Sequence, residues 1–204
     1  MKLTVFGSTG RTGRHVLTEG LRRGHRITAF TRRPDTLPDP STLAAVVSGD
    51  GRDPQAVRKA IAGADAVIAI VVAARRSGPH HTAEVAQVIT DAMADLGVRR
   101  LAITSAYPIV ADRPRLPVAV LRLLLADAYA DAAKMEQIVS ATDLAWTIVR
   151  LTRLTNKPAR GAVHIDRGLL DRPSSLTRAD AAAVLVDTVE GDRFAKAAIN
   201  VTGA

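Results

Sequence analysis

Three glycines near the amino terminus stand at a spacing that suits phosphate binding. Gly7, Gly10 and Gly13 follow a short apolar run and open a stretch with helical periodicity. At such a strand-to-helix turn the first glycine permits a sharp bend, the second lets backbone N–H groups approach a pyrophosphate, and the third allows close packing of helix on strand. The helix N-terminus also attracts the anion. The residues predicted to bind a dinucleotide here are Gly7, Ser8, Thr9, Gly10, Arg11, Thr12 and Gly13.

The end of the second predicted strand indicates which dinucleotide is bound. NAD-specific folds place an acidic residue there, about 20 residues beyond the glycine loop, to bind the ribose 2′-hydroxyl. Here Arg32 and Arg33 stand in that place, and the first carboxylate, Asp35, lies beyond Pro34. Arginine binds a phosphate bidentately, whereas an aspartate repels it. With Arg11 as a third positive charge, the sequence predicts NADP(H) in preference to NAD(H); the alternative is that these arginines are solvated surface charge.

The hydropathy pattern predicts the scaffold that holds these residues. Apolar runs alternate with amphipathic stretches, which is typical of strands buried on both faces and separated by covering helices. The clearest helix spans 82–96, with Glu84 in its first turn and Gly97 after its end. Another begins at Thr177, where Asp180 completes a capping-box-like pattern. Strands are expected over 3–7, 26–32, 44–48, 66–72, 100–105, 145–150 and 199–202. The predicted fold is a Rossmann-like, doubly wound α/β domain with a mostly parallel sheet.

Three segments interrupt the alternation. Residues 33–42 hold three prolines, so a loop or one short turn is expected there instead of a covering helix. Residues 107–116 and 152–175 are irregular and are predicted to lie at the carboxyl edge of the sheet, where they would shape the substrate pocket. The second of these is interpreted as a hairpin flap because Pro158, Gly161 and Gly168 punctuate it.

Composition excludes several classes of protein. The 204 residues are 47% hydrophobic and 24% charged, so residues 1–204 are expected to form one globular domain and not a disordered or fibrous chain. There is no cysteine, which excludes disulfides and thiolate chemistry and fits the predicted cytoplasmic location. The net charge of +8 suggests anionic ligands, but only 3% of residues are aromatic, so nucleic-acid binding is not expected. No apolar stretch approaches the roughly 20 residues needed to span a membrane.

Several motifs, taken in order, give the chain a family resemblance. They are Val5-Phe-Gly-Ser-Thr-Gly-Arg-Thr-Gly13, Thr31-Arg-Arg-Pro34, Gly49-Asp50, Asp65-Ala-Val-Ile68, Thr104-Ser-Ala106 and Leu144-Ala-Trp-Thr-Ile-Val-Arg150. The sequence resembles the atypical short-chain dehydrogenase/reductases, in the NAD(P)H-binding group that includes biliverdin reductase B (flavin reductase) and the NmrA-like proteins. The resemblance implies that Asp50 contacts the adenine and that Val71, Val72 and Ala73 line the cofactor cleft. For Asp50 the alternative is a plain turn cap.

The family resemblance also assigns an active-site serine. Ser105 ends the fifth predicted strand and matches that position; its hydroxyl would hold the nicotinamide amide or a substrate carbonyl, with Thr104 and Tyr107 as lesser candidates. Many short-chain dehydrogenases carry a tyrosine and a lysine four residues apart on one helix, but Tyr129 and Lys134 are five apart. That spacing puts them roughly 140° apart around a helix axis, so they are not expected to form this pair.

One more group of basic residues follows the fourth strand. Arg75 would neutralise a cofactor phosphate or an acidic substrate, or is an exposed loop arginine. His80 and His81 lack a third ligand at a recognisable spacing, so no metal site is predicted.

Together these features predict an NADP(H)-binding oxidoreductase that transfers hydride to a flavin, quinone or similar planar acceptor. Such acceptors take their proton from water and need no acid from the protein. The alternative is a non-catalytic, NmrA-like sensor of NADP(H) that acts through a protein partner.

Overall fold

A computed structural model of the protein describes residues 1–71, 80–111, 120 and 123–204. An eight-stranded sheet with the order β3-β2-β1-β4-β5-β6-β10-β8 forms its centre, and all neighbouring strands are parallel except β8, which runs antiparallel to β10. The strands of this sheet are β1 Lys2–Phe6, β2 Arg26–Thr31, β3 Ala45–Ser48, β4 Ala66–Ala69, β5 Arg100–Ala106, β6 Ala145–Leu151, β8 Val163–Asp166 and β10 Ala197–Gly203. The predicted Rossmann-like α/β fold is thereby confirmed.

Helices cover both faces of the sheet. Those in the described residues are α1 Arg11–Arg22, α2 Pro54–Ile61, α3 Thr82–Asp95, α4 Ala126–Ser140 and α5 Arg178–Glu190. Side chains alternate between the faces along each strand, as the two-residue period of a strand requires. In β1, for example, Leu3 and Val5 join the core under α1 and α5, whereas Phe6 joins the core under α2, α3 and α4. A sheet buried on both sides explains the nearly continuous apolar runs of the sequence.

The irregular segments differ in detail from their predictions. Residues 33–42 contain two single 3₁₀ turns, Pro34–Thr36 and Pro40–Thr42, where one turn at most was expected. The fourth strand ends at Ala69, three residues before its predicted end.

Residues 152–175 do not form a hairpin flap. Instead β8 joins the edge of the main sheet, and β7 (Leu154–Thr155) pairs in parallel with β9 (Leu176–Thr177). The partners of these strands lie far along the chain, so a local search for turn residues could not identify them.

A buried carboxylate fastens this segment to α5. The Asp180 side chain accepts hydrogen bonds from the backbone N–H groups of Arg160, at 3.0 Å, and Gly161, at 3.0 Å, and from the Thr177 hydroxyl, at 2.7 Å. The Thr177 oxygen in turn accepts from the Asp180 N–H at 3.0 Å, so the predicted cap is confirmed. Burial opposes ionisation of Asp180, but the two N–H donors and the hydroxyl outweigh it and lower its pKa.

We expect Asp180→Asn to lower the free energy of unfolding by about 1–3 kcal/mol at neutral pH, because two backbone N–H groups lose a charged acceptor. A depressed folded-state pKa stabilises the protein above the unfolded pKa of about 4, and that contribution disappears as the pH falls through the folded value. The difference between parent and variant should therefore shrink on acidification. Urea unfolding at several pH values measures it, with the exposed Asp171→Asn as control; a difference that does not shrink on acidification would contradict this assignment.

Candidate functional site

The glycine loop is built so tightly that two of its three glycines are required by the fold itself. Gly7 has a φ of +73°, and a Cβ there would lie 2.4 Å from the Ile70 carbonyl oxygen. A Cβ on Gly13 would lie 2.1 Å from the Gly7 carbonyl oxygen. Gly10 differs, because its φ is −67° and, among the described residues, a Cβ there would meet only that same oxygen, at 3.1 Å. The fold therefore tolerates a side chain best at Gly10, the position predicted to face a pyrophosphate.

The first turn of α1 leaves its backbone donors available. Its first helical bond runs from the Arg14 N–H to the Gly10 carbonyl, at 3.0 Å. In the part of the chain that the structure describes, no side chain caps the helix, and its first turn holds no acidic residue. The N–H groups of Arg11, Thr12 and Gly13 precede that first bond, so they are the unsatisfied donors of a helix N-terminus. This arrangement fits a pyrophosphate.

The hydroxyl groups of the loop are used to hold it in place. The buried Ser8 donates from Oγ to the Phe30 carbonyl oxygen at 2.9 Å. The Oγ1 atoms of Thr9 and Thr31 lie 3.0 Å apart in a hydrogen bond. Both contacts tie the loop to β2. Thr12 is also buried, with 7% of its surface exposed. What the loop presents to a ligand is therefore its backbone.

A second arginine stands beside Arg11, and sequence reasoning missed it. Arg178 begins α5, which packs along α1, and its Nη1 donates to Asn156 Oδ1 at 2.7 Å. Burial, and next the positive charge of Arg11, lower the pKa of Arg178. Among the described residues neither arginine has a carboxylate partner. Two like charges near the starts of two helices form a basic surface that an anion would stabilise.

The ends of β2 and β3, where the sequence predicts that the adenosine part of the cofactor binds, carry one more arginine, Arg52, than was predicted. Arg32 and Arg33 follow β2 and are exposed, and in the described part of the chain neither forms an ion pair. Asp50 is held by Arg52, whose Nη2 donates to Asp50 Oδ2 at 3.0 Å. That hydrogen bond, together with the Arg52 backbone N–H and the charge of Arg32, lowers the pKa of Asp50 to about 2. Arg52 was not singled out from the sequence, although its position two residues after Asp50 was the available signal.

The wall of the predicted cleft is described only in part. The Val71 carbonyl oxygen accepts a hydrogen bond from Thr104 Oγ1 at 3.4 Å, and Thr104 is buried. Val72, Ala73 and Arg75 lie outside the described residues.

Ser105 lies in a buried polar network that the sequence did not reveal. Its Oγ donates to Glu136 Oε1 at 2.6 Å. Arg150 donates to the same carboxylate, from Nε to Oε1 at 3.0 Å and from Nη2 to Oε2 at 2.5 Å. Glu136 and Arg150 are only 11% and 17% exposed as side chains, so this ion pair is largely shielded from water. The β5–β6 register places Ser105 opposite Arg150, and Glu136 reaches both from α4.

Tyr107 holds the segment between β8 and β9 in place. It is buried, and its hydroxyl oxygen accepts a hydrogen bond from the Leu170 N–H at 2.9 Å. Tyr107, Ala111 and Leu170 form a small apolar cluster of their own. The tyrosine thus connects the end of β5 to the segment between β8 and β9.

Comparisons with known proteins agree with this geometry. The sequence model of a family described as NAD(P)H-binding matches residues 7–192, which includes the glycine loop, Ser105 and the Glu136–Arg150 pair. The chain belongs to this NAD(P)H-binding family. It is also 33% identical over 106 residues to an uncharacterized protein of Mycobacterium tuberculosis. That match covers 52% of this chain and 12% of the relative, so the chain spans only a small part of the curated proteins it matches.

Solved structures share the fold at low sequence identity. An oxidoreductase, ylbE, from Lactococcus lactis is 22% identical with a TM-score of 0.82 and covers 100% of this chain and 91% of its own. A short-chain dehydrogenase/reductase from Veillonella parvula, solved with NADP, is 17% identical with a TM-score of 0.80, covering 98% and 94%. ChuY, an anaerobilin reductase from Escherichia coli O157:H7, is 17% identical with a TM-score of 0.81, covering 100% and 97%. Each of these three structures is similar to this chain in fold.

The remaining candidate residues lie apart from one another. Tyr129 and Lys134 are both on α4, where Lys134 is exposed and Tyr129 is half-buried. His81 Nδ1 lies 2.9 Å from Glu84 Oε2, within the first turn of α3. The described residues bring no group of three His, Cys, Asp or Glu side chains together as a metal site. In the same described part, no helix is long and apolar enough to cross a membrane.

We expect Gly10→Val to weaken NAD(P)H binding by at least about 100-fold while the domain stays folded, because a branched side chain would stand where a pyrophosphate is predicted to meet several N–H donors. Isothermal calorimetry measures the affinity, and circular dichroism checks the fold. Gly191→Val is the matched control, since Gly191 has an extended backbone and a Cβ there lies 3.8 Å from its nearest neighbour. Unchanged affinity in Gly10→Val would remove the loop from the binding site.

Proposed function

We propose that this protein is an NADP(H)-dependent reductase whose acceptor is a flavin, a quinone or a similar planar redox compound. A nicotinamide held at the carboxyl edge of the sheet would supply the hydride. The glycine loop and the uncapped α1 would hold the pyrophosphate, and Arg11 with Arg178 would neutralise it. Ser105 is the side chain we propose to contact the reacting rings, and Tyr107 would position the segment that covers them.

The observation that carries the choice of acceptor is the placement of Tyr129 and Lys134. Reduction of a carbonyl produces an alkoxide, which a positioned acid must protonate. The two residues are five positions apart on α4, about 140° around its axis, so they do not share the helix face that a tyrosine–lysine pair needs. A flavin or quinone takes its proton from water, and the protein then needs only to position two rings. This arrangement favours such acceptors over aldehydes and ketones.

Steady-state oxidation of NADPH tests the proposal directly. FMN, benzoquinones and redox dyes would serve as acceptors, with aldehydes and ketones assayed in parallel. Turnover with the planar acceptors, and little with the carbonyl compounds, is the expected result. Faster reduction of carbonyl compounds would refute the choice of acceptor. Tight binding of NADPH with no turnover in any assay would refute the enzyme and favour a sensor that acts through a protein partner.

The protein should bind NADPH at least about tenfold more tightly than NADH, because one charge-assisted hydrogen bond to the 2′-phosphate gives discrimination of that order. The double variant Arg32→Ala, Arg33→Ala should lose most of this preference by weakening NADPH alone. Calorimetry with both cofactors measures it. Arg26→Ala is the control, since Arg26 is exposed at the opposite end of the same strand. A preference that survives in the double variant would assign the 2′-phosphate to other residues.

A further inference from the structure

Three polar side chains form a row across the sheet on the face that α4 covers. The strand register aligns Ser105 of β5 with Arg150 of β6, and Arg150 with Asn200 of β10. Glu136 of α4 lies against this row and contacts its first two members. Asn200 is 1% exposed and Glu136 is 9% exposed, so the row lies inside the protein near the carboxyl edge.

The direction of each hydrogen bond in the row follows from its chemistry. Both oxygens of Glu136 accept from the Arg150 guanidinium, which makes it a carboxylate with no proton to give. In the 2.6 Å contact the Ser105 hydroxyl is therefore the donor. A hydrogen bond to a charged acceptor is roughly twice as strong as one to a neutral carbonyl. A ligand carbonyl does not compete for this proton, and Ser105 presents only its lone pairs to a ligand.

Asn200 adds a second acceptor to the row. Its Nδ2 donates to the Gly168 carbonyl oxygen at 2.6 Å, which fixes the orientation of the amide. Its Oδ1 is buried and has no hydrogen-bond partner among the described residues. Buried acceptors are nearly always satisfied in native proteins, so this oxygen marks a place for a donor. Beside the Arg150 guanidinium, which only donates, Ser105 and Asn200 Oδ1 thus offer acceptors where an active-site serine of the expected type would offer a donor.

We propose that Ser105 accepts a hydrogen bond from an N–H group of a bound ring, and that Glu136 is the positioning residue that sets this polarity. The N–H group belongs either to the carboxamide of the nicotinamide or to the acceptor, as in the N3–H of a flavin. This inference rests on the proposed function only in that these rings bind beside Ser105. In the second case it narrows the acceptor to compounds with ring N–H groups, and so excludes quinones.

Cofactor analogues test the first source. NADP⁺ and its 3-acetylpyridine analogue differ only in replacement of the carboxamide NH₂ by a methyl group. The parent should bind NADP⁺ about 3- to 10-fold more tightly than the analogue, the discrimination expected from one neutral hydrogen bond. Ser105→Ala should abolish this ratio, and Ser105→Thr should restore it. Ser140→Ala is the matched control, because within the described residues the Ser140 hydroxyl bonds only to the Gln137 carbonyl oxygen at the end of α4.

A pair of flavins tests the second source. Lumiflavin and N3-methyl-lumiflavin differ in the N3–H donor, and their affinities for the complex with NADP⁺ follow from fluorescence quenching. If the acceptor supplies the N–H group, Ser105→Ala should collapse the ratio in this pair and leave the ratio of the cofactor pair unchanged.

Glu136→Gln tests the polarity itself. Its Oε1 would face Arg150 and its Nε2 would donate to Ser105, which frees the serine proton for a ligand carbonyl. In whichever ligand pair responds to Ser105→Ala, the ratio of the two affinities should fall to about 1. The member without the N–H group should bind at least as tightly as it does to the parent. Glu19→Gln, on the far end of α1, is the control. Should Glu136→Gln fail to fold, the Ser105 variants still decide the matter.

Two results would overturn the inference. If Ser105→Ala weakens both members of a pair by the same factor, Ser105 donates to a carbonyl group that the two ligands share. If Ser105→Ala changes none of the four affinities, Ser105 contacts neither ring. These are binding measurements, so a protein that turns over no acceptor would refute the proposed reductase without changing either ratio.

Discussion

The close approach of α1 to the loop before it is the constraint on which the rest of the site depends. With the Gly7 carbonyl oxygen only 2.1 Å from where a Cβ of Gly13 would stand, any side chain at Gly13 would push the helix away from β1. Because α1 begins soon after β1 ends, the N–H groups of its first turn lie at the carboxyl end of that strand. Packing of α5 along α1 then brings Arg178 beside Arg11. The backbone donors proposed to bind an anion thus follow from packing, and the two arginines add positive charge beside them.

The distribution of ion pairs explains how a chain with a net charge of +8 keeps that site positive. At the far end of α1, Arg23 donates to Glu19, Asp187 and Glu190, so acidic groups of both α1 and α5 balance it. His25 adds a contact to Glu190, which lies at the end of α5. These contacts hold the two helices together at the edge opposite the glycine loop. Acidic side chains are thus used where they fix the scaffold, and Arg11 and Arg178 are left without carboxylate partners in the described part of the chain.

Sequence reasoning predicted the fold well because the determining signals are local. Burial of the sheet on both faces produces apolar runs, and the glycine loop needs only seven consecutive residues, 7–13, to be recognised. The same holds for the cap at the start of α5, where Thr177 and Asp180 lie within one turn. By contrast, the pairing of β7 with β9 joins residues about twenty positions apart through two short strands, and no local pattern identifies it. The hairpin expected for residues 152–175 was wrong for this reason.

The hydrogen bonds of the polar row could not be predicted from the sequence for the same reason. Ser105 could be found because it ends a strand, but the direction of its hydrogen bond depends on Glu136, 31 residues away, and on Arg150, 14 residues further on. These three residues meet because of the register of β5 on β6 and the rotation of α4 about its axis. No local sequence pattern indicates either of these. A serine at a strand end predicts a hydroxyl near the ligand. Whether that hydroxyl gives or receives a hydrogen bond is set by its buried neighbours, because an ionised carboxylate holds the proton more strongly than a neutral ligand does.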